Sequence, residues 1–102
     1  MLTFHVEDQL HHRMRTFNDD ADNAFLRLVR RYGETVVPTS TIIDSYCDTM
    51  FNFKQLDRLT VELEELLRVD ELTTQERARA AEVLSAVREA RGESGYLFVV
   101  GD

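Results

Sequence analysis

The first and last segments of the chain have the hydrophobic pattern of β-strands. Leu2, Phe4 and Val6 alternate with polar residues, which places them on one face of a half-buried strand. The final segment, YLFVVGD at residues 96–102, is nearly all apolar, as is typical of a strand buried on both faces. An apolar strand at a terminus frays unless a sheet holds it, so we expect these two strands to pair.

Two segments between them have the spacing of amphipathic helices. The first covers residues 18–33, where one of the polar residues 18–20 can cap the helix and a glycine ends it. The second follows Asn52 and runs to about Arg68, with its leucines on one side. Asn52 followed three residues later by Gln55 predicts a capping box at the start of this helix.

A third helix is predicted near the C-terminus. It opens with Thr73-x-x-Glu76, the pattern of a capping box, and closes at Gly92. Its alanines permit close approach of a neighbouring element. The expected buried stripe consists of Ala80, Val83, Leu84, Val87 and Ala90.

The two remaining segments have weaker patterns. Residues 9–16 are polar without a clear period, so we expect a loop there. Residues 34–44, ETVVPTSTIID, are rich in β-branched side chains and favour extended chain, in which Pro38 confines a strand to an edge or breaks it in two. Together the elements predict a single α+β domain over residues 1–102, with a small sheet that includes both terminal strands and about three helices.

Charged residues are unevenly distributed along the chain. The net charge is −7, and residues 34–67 carry seven acidic and two basic side chains, which is most of the excess. Such a surface repels a phosphate backbone, so we expect no nucleic-acid partner and favour a basic protein partner. The simpler alternative is that the acidic balance only keeps a small protein in solution.

The N-terminal sequence and the apolar runs indicate a protein that stays in the cytoplasm. The opening MLTFHVEDQLHH lacks the basic and long apolar regions of a signal peptide. No apolar run approaches the roughly 18 residues of a membrane span. The single cysteine, Cys47, excludes an intramolecular disulfide. We therefore expect a cytoplasmic protein with no membrane contact.

Residues 44–48, DSYCD, contain the densest group of reactive side chain types. A calcium loop counted from Asp44 would need glycine at its sixth position and glutamate at its twelfth, where this chain has Thr49 and Gln55. A nucleophilic Cys47 would need a base and a positive neighbour, and it stands between a tyrosine and an aspartate. We expect Cys47 to be a small buried hydrophobic residue and this segment to be a turn leading into a helix cap.

The remaining candidates for chemistry are three histidines. His11 and His12 are adjacent and cannot both face one site from a regular element, and His5 lies apart in the first strand. The sequence has no phosphate-binding loop, dinucleotide fingerprint, nucleophile elbow or His-Glu-x-x-His motif. We therefore expect no metal site, no cofactor and no catalytic residue.

Two segments together resemble a family of small bacterial proteins. The first reads DSYCDTMFN at residues 44–52, before a leucine- and glutamate-rich helix, and the second is YLFVVGD at residues 96–102. Proteins of that family carry a similar D-x-Y-G-D-T-x-F-N element and a terminal strand like YLWFIGD. Here Cys47 replaces the glycine and Phe98 the tryptophan. The family has no established activity, so the resemblance implies no catalytic residue. The chain is also similar to immunity-type proteins in size, acidity and α+β pattern.

These observations favour a binding protein over an enzyme. We expect a non-enzymatic domain whose acidic surface engages a protein partner, with an immunity- or antitoxin-like inhibitor as one concrete form. The residues expected to contact the partner are Asp44, Asp48, Asp102, Glu62 and Glu65. Two alternatives remain open. One is a homodimer joined through the alanine-bearing helix or a strand edge, and the other is a small metal-dependent hydrolase that uses Asp44, Asp48 and a histidine.

Overall fold

Strands and helices follow one another along the chain in a computed structural model that describes residues 1–44 and 46–101. The elements in chain order are β1 (Thr3–Glu7), β2 (Arg13–Asn18), α1 (Ala24–Tyr32), a 3-10 helix (Pro38–Ile42), β3 (Thr49–Phe51), α2 (Phe53–Leu66), α3 (Thr74–Gly92) and β4 (Tyr96–Val100).

The four strands form one antiparallel sheet in the order β2-β1-β4-β3. β1 and β4 pair at its centre, with Thr3 opposite Val100 and His5 opposite Phe98. The predicted pairing of the two terminal strands is therefore confirmed. So is the predicted fold class, because the described residues form an α+β domain with three α-helices and a sheet that includes β1 and β4.

The core lies between one face of the sheet and the helices. Phe4 of β1 stacks on Phe17 of β2, with 4.8 Å between the ring centroids, and meets the edge of Phe25 of α1. Alternate residues of β4, Leu97 and Val99, point to the same side and are buried. Full burial of one such side chain contributes about 1.5–3 kcal/mol, so this layer dominates the stability of the fold.

The helical stripes predicted from the spacing are confirmed. The four leucines of α2 at positions 56, 59, 63 and 66 are buried, and so are all five residues of the stripe predicted for α3. Both capping boxes are present: the Asn52 side chain accepts from the backbone N–H of Gln55, and the Thr73 side chain accepts from that of Glu76. The alanines of the α3 stripe are packed inside the domain, so they are not free to join two copies of the chain.

The prediction of a loop over residues 9–16 is wrong, because a hairpin forms there and Arg13–Asn18 is an edge strand. The turn is held by Asp8, whose Oδ1 accepts from the backbone N–H groups of Leu10 and His12 at 2.9 Å each. The bond from His12 N–H is the main cause of a lowered pKa of Asp8. The strand lacks an alternating apolar pattern because its side chains are largely exposed.

The prediction of extended chain over residues 34–44 is also wrong in its main part, because Pro38–Ile42 is a 3-10 helix. Pro38 stands at its first position, where a missing N–H is not needed. Glu62 of α2 then accepts from both the backbone N–H and the hydroxyl of Thr39, at 2.9 and 2.6 Å. This tertiary contact stabilises the helical turn against the β preference of the local sequence.

The start of α1 is held by one of the three candidate caps, Asp19. Its buried carboxylate accepts from the backbone N–H groups of Phe25 and Leu26 at 3.0 and 3.2 Å. The residue immediately before the helix, Asn23, has a φ of 58° and makes no side-chain cap. The helix therefore begins several residues later than its sequence pattern suggests.

Candidate partner-binding surface

The loop that contains Asp44 and Cys47 approaches the end of β4 through the backbones of these two residues. A Cβ added to Gly101 would come within 2.5 Å of the carbonyl oxygen of Asp44 and 2.7 Å of the backbone nitrogen and oxygen of Cys47. Only glycine permits this approach of two backbones. The two segments that carry the family resemblance therefore touch each other.

The loop is folded by its own side chains so that its aromatic residue points outward. Asp44 Oδ1 accepts from the backbone N–H of Tyr46 at 2.7 Å, which is an Asx turn. The Tyr46 side chain is 86% exposed, the most of any large apolar side chain that the structure describes. The sequence predicted the turn, but it did not single out Tyr46.

The loop brings two of the five predicted contact residues to the surface. Asp44 and Asp48 are exposed, on either side of Tyr46. Cys47 is exposed as well, so the expectation that it would be a buried hydrophobic residue is wrong. Asp102, another of the five predicted contact residues, lies outside the described residues.

The two glutamates predicted to join this surface have other contacts. Glu62 is half-buried and holds Thr39 through both of its carboxylate oxygens. Glu65 is exposed but forms an ion pair of 2.7 Å with Arg68. Asp44 and Asp48, in contrast, are exposed and form no ion pair within the described part of the chain.

Two further apolar side chains lie next to the loop in the chain. Ile42, at the end of the 3-10 helix, is 52% exposed, and Met50, in the edge strand β3, is 45% exposed. With the described residues of the loop, they make this part of the chain expose both apolar and acidic side chains. We call Ile42, Asp44, Tyr46, Asp48 and Met50 the Tyr46 surface.

Two of the histidines lie far from this loop. His11 belongs to the β1–β2 turn, where its Nδ1 is 2.9 Å from Glu7 Oε1 and its ring stacks on Tyr96 at 4.3 Å. Tyr96 begins β4, whereas the loop packs beyond the other end of that strand. At about 3.3 Å per residue the two ends are roughly 16 Å apart. His12 lies in the same turn, 3.2 Å from Asp8 Oδ2.

The third histidine is held in the middle of the sheet. His5 Nδ1 is 2.8 Å from the hydroxyl of Thr16, and burial lowers its pKa. Among residues 1–44 and 46–101, no three His, Cys, Asp or Glu side chains are grouped so that they could hold a metal ion. The donors required by the hydrolase alternative, Asp44 and Asp48 with His11 or His12, are therefore not brought together.

Comparison of the chain with family models, curated proteins and solved structures gave no match. The resemblance of residues 44–52 and 96–102 to small bacterial proteins therefore stays a prediction. The helices within the described part of the chain are all too short or too polar to cross a membrane.

Proposed function

We propose that this protein is a non-enzymatic binding domain that engages a basic protein through the Tyr46 surface. An inhibitor of the immunity or antitoxin type, acting in the cytoplasm, is the form that we favour. The observation that carries the proposal is Tyr46, which the loop presents almost fully exposed between two carboxylates.

Tyrosine is enriched at protein interfaces because it buries a large area and loses little conformational entropy on binding. An isolated exposed tyrosine is common, but two further exposed apolar residues, Ile42 and Met50, stand four positions before and four positions after Tyr46 in the chain. Apolar contact in the middle and charge around it is the usual anatomy of a specific interface.

The charge of the chain indicates the sign of the partner. The net charge is −7, and Asp44 and Asp48 make no ion pair with any residue that the structure describes. A basic partner would be steered toward this surface, and its association rate would fall as salt screens the attraction. Salt dependence is thus an expected property of the complex.

The single cysteine provides a direct experiment, because Cys47 is exposed within the proposed surface. A benzophenone attached to this thiol should crosslink a basic protein in lysate of the native host after irradiation. The yield should fall when Tyr46 is changed to Ala, when Asp44 and Asp48 are changed to Asn, or when salt is raised.

A matched control moves the probe to another face. Ser85 is exposed on α3, so the double variant Cys47→Ser, Ser85→Cys carries the same label away from the loop. The proposal requires that this control does not capture the same protein. Equal capture from both positions, or capture that Tyr46→Ala leaves unchanged, would show that the Tyr46 surface is not the interface.

A homodimer is the second candidate, and the uncovered face of the sheet favours it. The helices cover one face only, and on the other Met14 and Met50 are 44% and 45% exposed. A monomer mass by light scattering at high protein concentration would argue against this candidate.

A further inference from the structure

A cavity of about 560 Å³ opens beside the Tyr46 surface, between the second half of α1 and the loop. Apolar side chains of Leu26, Val29 and Ile43 line it, and each of these residues is buried. Asp44 and Tyr46 line the cavity too, so it is continuous with the surface that we propose to bind a partner. Its volume lies in the range of sites that enclose a ligand or a group of side chains.

The charged residues that line the cavity are two arginines, Arg30 and Arg31, and two carboxylates, Glu34 and Asp44. Arg31 is already neutralised by Glu76 of α3, at 3.1 Å, and its guanidinium lies over the ring of Tyr32. Three charged lining residues make no ion pair within the described part of the chain: Arg30, Glu34 and Asp44. Once the paired Arg31 is set aside, the lining therefore has two carboxylates and one guanidinium without an ion pair, together with its apolar residues.

We infer that the cavity receives an arginine or lysine side chain of the basic partner, an inference that rests on the proposed function. The aliphatic part of such a side chain matches the apolar floor, and its cationic end is attracted to Glu34 and Asp44. The ring of Tyr46 lies at the same opening and favours a cation over its face. The cavity thus anchors one long basic side chain while Tyr46 contacts the surface around it.

The probe for this inference is N-acetyl-arginine amide, titrated into the protein labelled with ¹³C at its methyl groups. We expect saturable NMR shifts of the Leu26, Val29 and Ile43 methyls, with a single dissociation constant on the order of millimolar. N-acetyl-norleucine amide, which has a neutral chain, should bind more weakly. The absence of saturable shifts at these methyls, or equal binding of the neutral compound, overturns the inference.

The lining residues without an ion pair allow a test of whether the cavity prefers a cation or an anion. Changing Glu34 to Gln and Asp44 to Asn should weaken binding of the arginine compound roughly threefold to fivefold, as expected for exposed ion pairs. Changing Arg30 to Ala should tighten it, because this removes the like charge. Reversal of both effects, as expected for a cavity that takes an anion, overturns the inference.

A matched control distinguishes binding in the cavity from attraction of the probe to the overall negative charge of the protein. Asp70 and Glu71 are exposed between α2 and α3, and the change Asp70→Asn with Glu71→Gln removes the same two negative charges away from the cavity. This control should bind the probe like the unchanged protein, and an equal loss in the control overturns the inference. The outcome is distinct from that of the crosslinking experiment. Probe binding without capture at Cys47 contradicts the proposed function alone, and capture without probe binding contradicts the cavity alone.

Discussion

Replacement of Gly101 by alanine tests the contact that positions the Tyr46 loop. A Cβ at this position would lie 2.5–2.7 Å from three backbone atoms of Asp44 and Cys47. Side chains can rotate away from such an overlap, but backbone atoms can move only if the loop or the end of β4 moves. Overpacking of this kind costs about 1–3 kcal/mol, so we expect Gly101→Ala to lower the free energy of unfolding by about 2 kcal/mol.

The chain provides a matched control in Gly92. It is the last residue of α3, and a Cβ added there would meet no atom within 4 Å. Alanine restricts the unfolded chain and favours the helix, so Gly92→Ala should leave the stability unchanged or raise it by up to about 1 kcal/mol. The two variants make the same chemical change, and they should move the free energy of unfolding in opposite directions or at least differ by about 2 kcal/mol.

Urea denaturation followed by circular dichroism measures both free energies, and the linear extrapolation is adequate for a difference of this size. For a domain of this length, 2 kcal/mol corresponds to a fall in Tm of roughly 8–16 °C. The rate at which Cys47 reacts with a thiol reagent reports on the loop itself and should change in Gly101→Ala only. Equal stability of the two variants, with unchanged thiol reactivity, would refute the packing of the loop on the end of β4.

Two further predictions concern the helix starts. Asp19→Ala should lower the free energy of unfolding by about 2–3 kcal/mol, because it leaves the N–H groups of Phe25 and Leu26 without their charged acceptor. Urea denaturation measures this loss, and Asp22→Ala, a change at an exposed neighbour, is the control. Glu76→Gln keeps the cap but removes the negative charge. The backbone bond to Thr73 and the nearby Arg31 hold the pKa of Glu76 below its usual value, so the stabilisation is present at neutral pH and is lost as pH falls below about 4. Denaturation of both proteins from pH 7 to pH 3 should therefore show a gap that closes in acid, and a constant gap would contradict the assignment.

The predictions from the sequence were correct for helices and strands whose buried face is set by the spacing of their own residues. The leucines of α2 and the stripe of α3 have a period that only a helix satisfies, and both capping boxes act within four residues. The two terminal strands were also predictable, because an apolar strand needs a sheet. These features depend on side chains that are close along the chain.

The errors fall where a distant residue decides the local structure. Residues 38–42 have a β preference, but Glu62, more than twenty positions later, holds Thr39 in a helical turn. β2 carries no apolar alternation and exists because β1 provides its hydrogen bonds. Cys47 is exposed in a loop whose backbone lies against Gly101, more than fifty positions later. The spacing of apolar and polar residues within a short segment gives no information about any of these contacts.

Short-range hydrogen bonds also hold residues of the Tyr46 surface in place. The hydroxyl of Thr49 donates to the carbonyl of Ile42 at 3.3 Å, which ties the two ends of the segment together, and Asp44 fixes the turn between them. A segment that is ordered before it meets a partner loses less conformational entropy on binding, so the free energy of binding is more favourable. A disordered acidic segment of the same composition would attract a basic partner equally well at long range but would hold it less tightly. If the Tyr46 surface binds a partner as proposed, Gly101 would contribute to that binding without touching the partner, because its close backbone approach to Asp44 and Cys47 allows the end of β4 to support the loop.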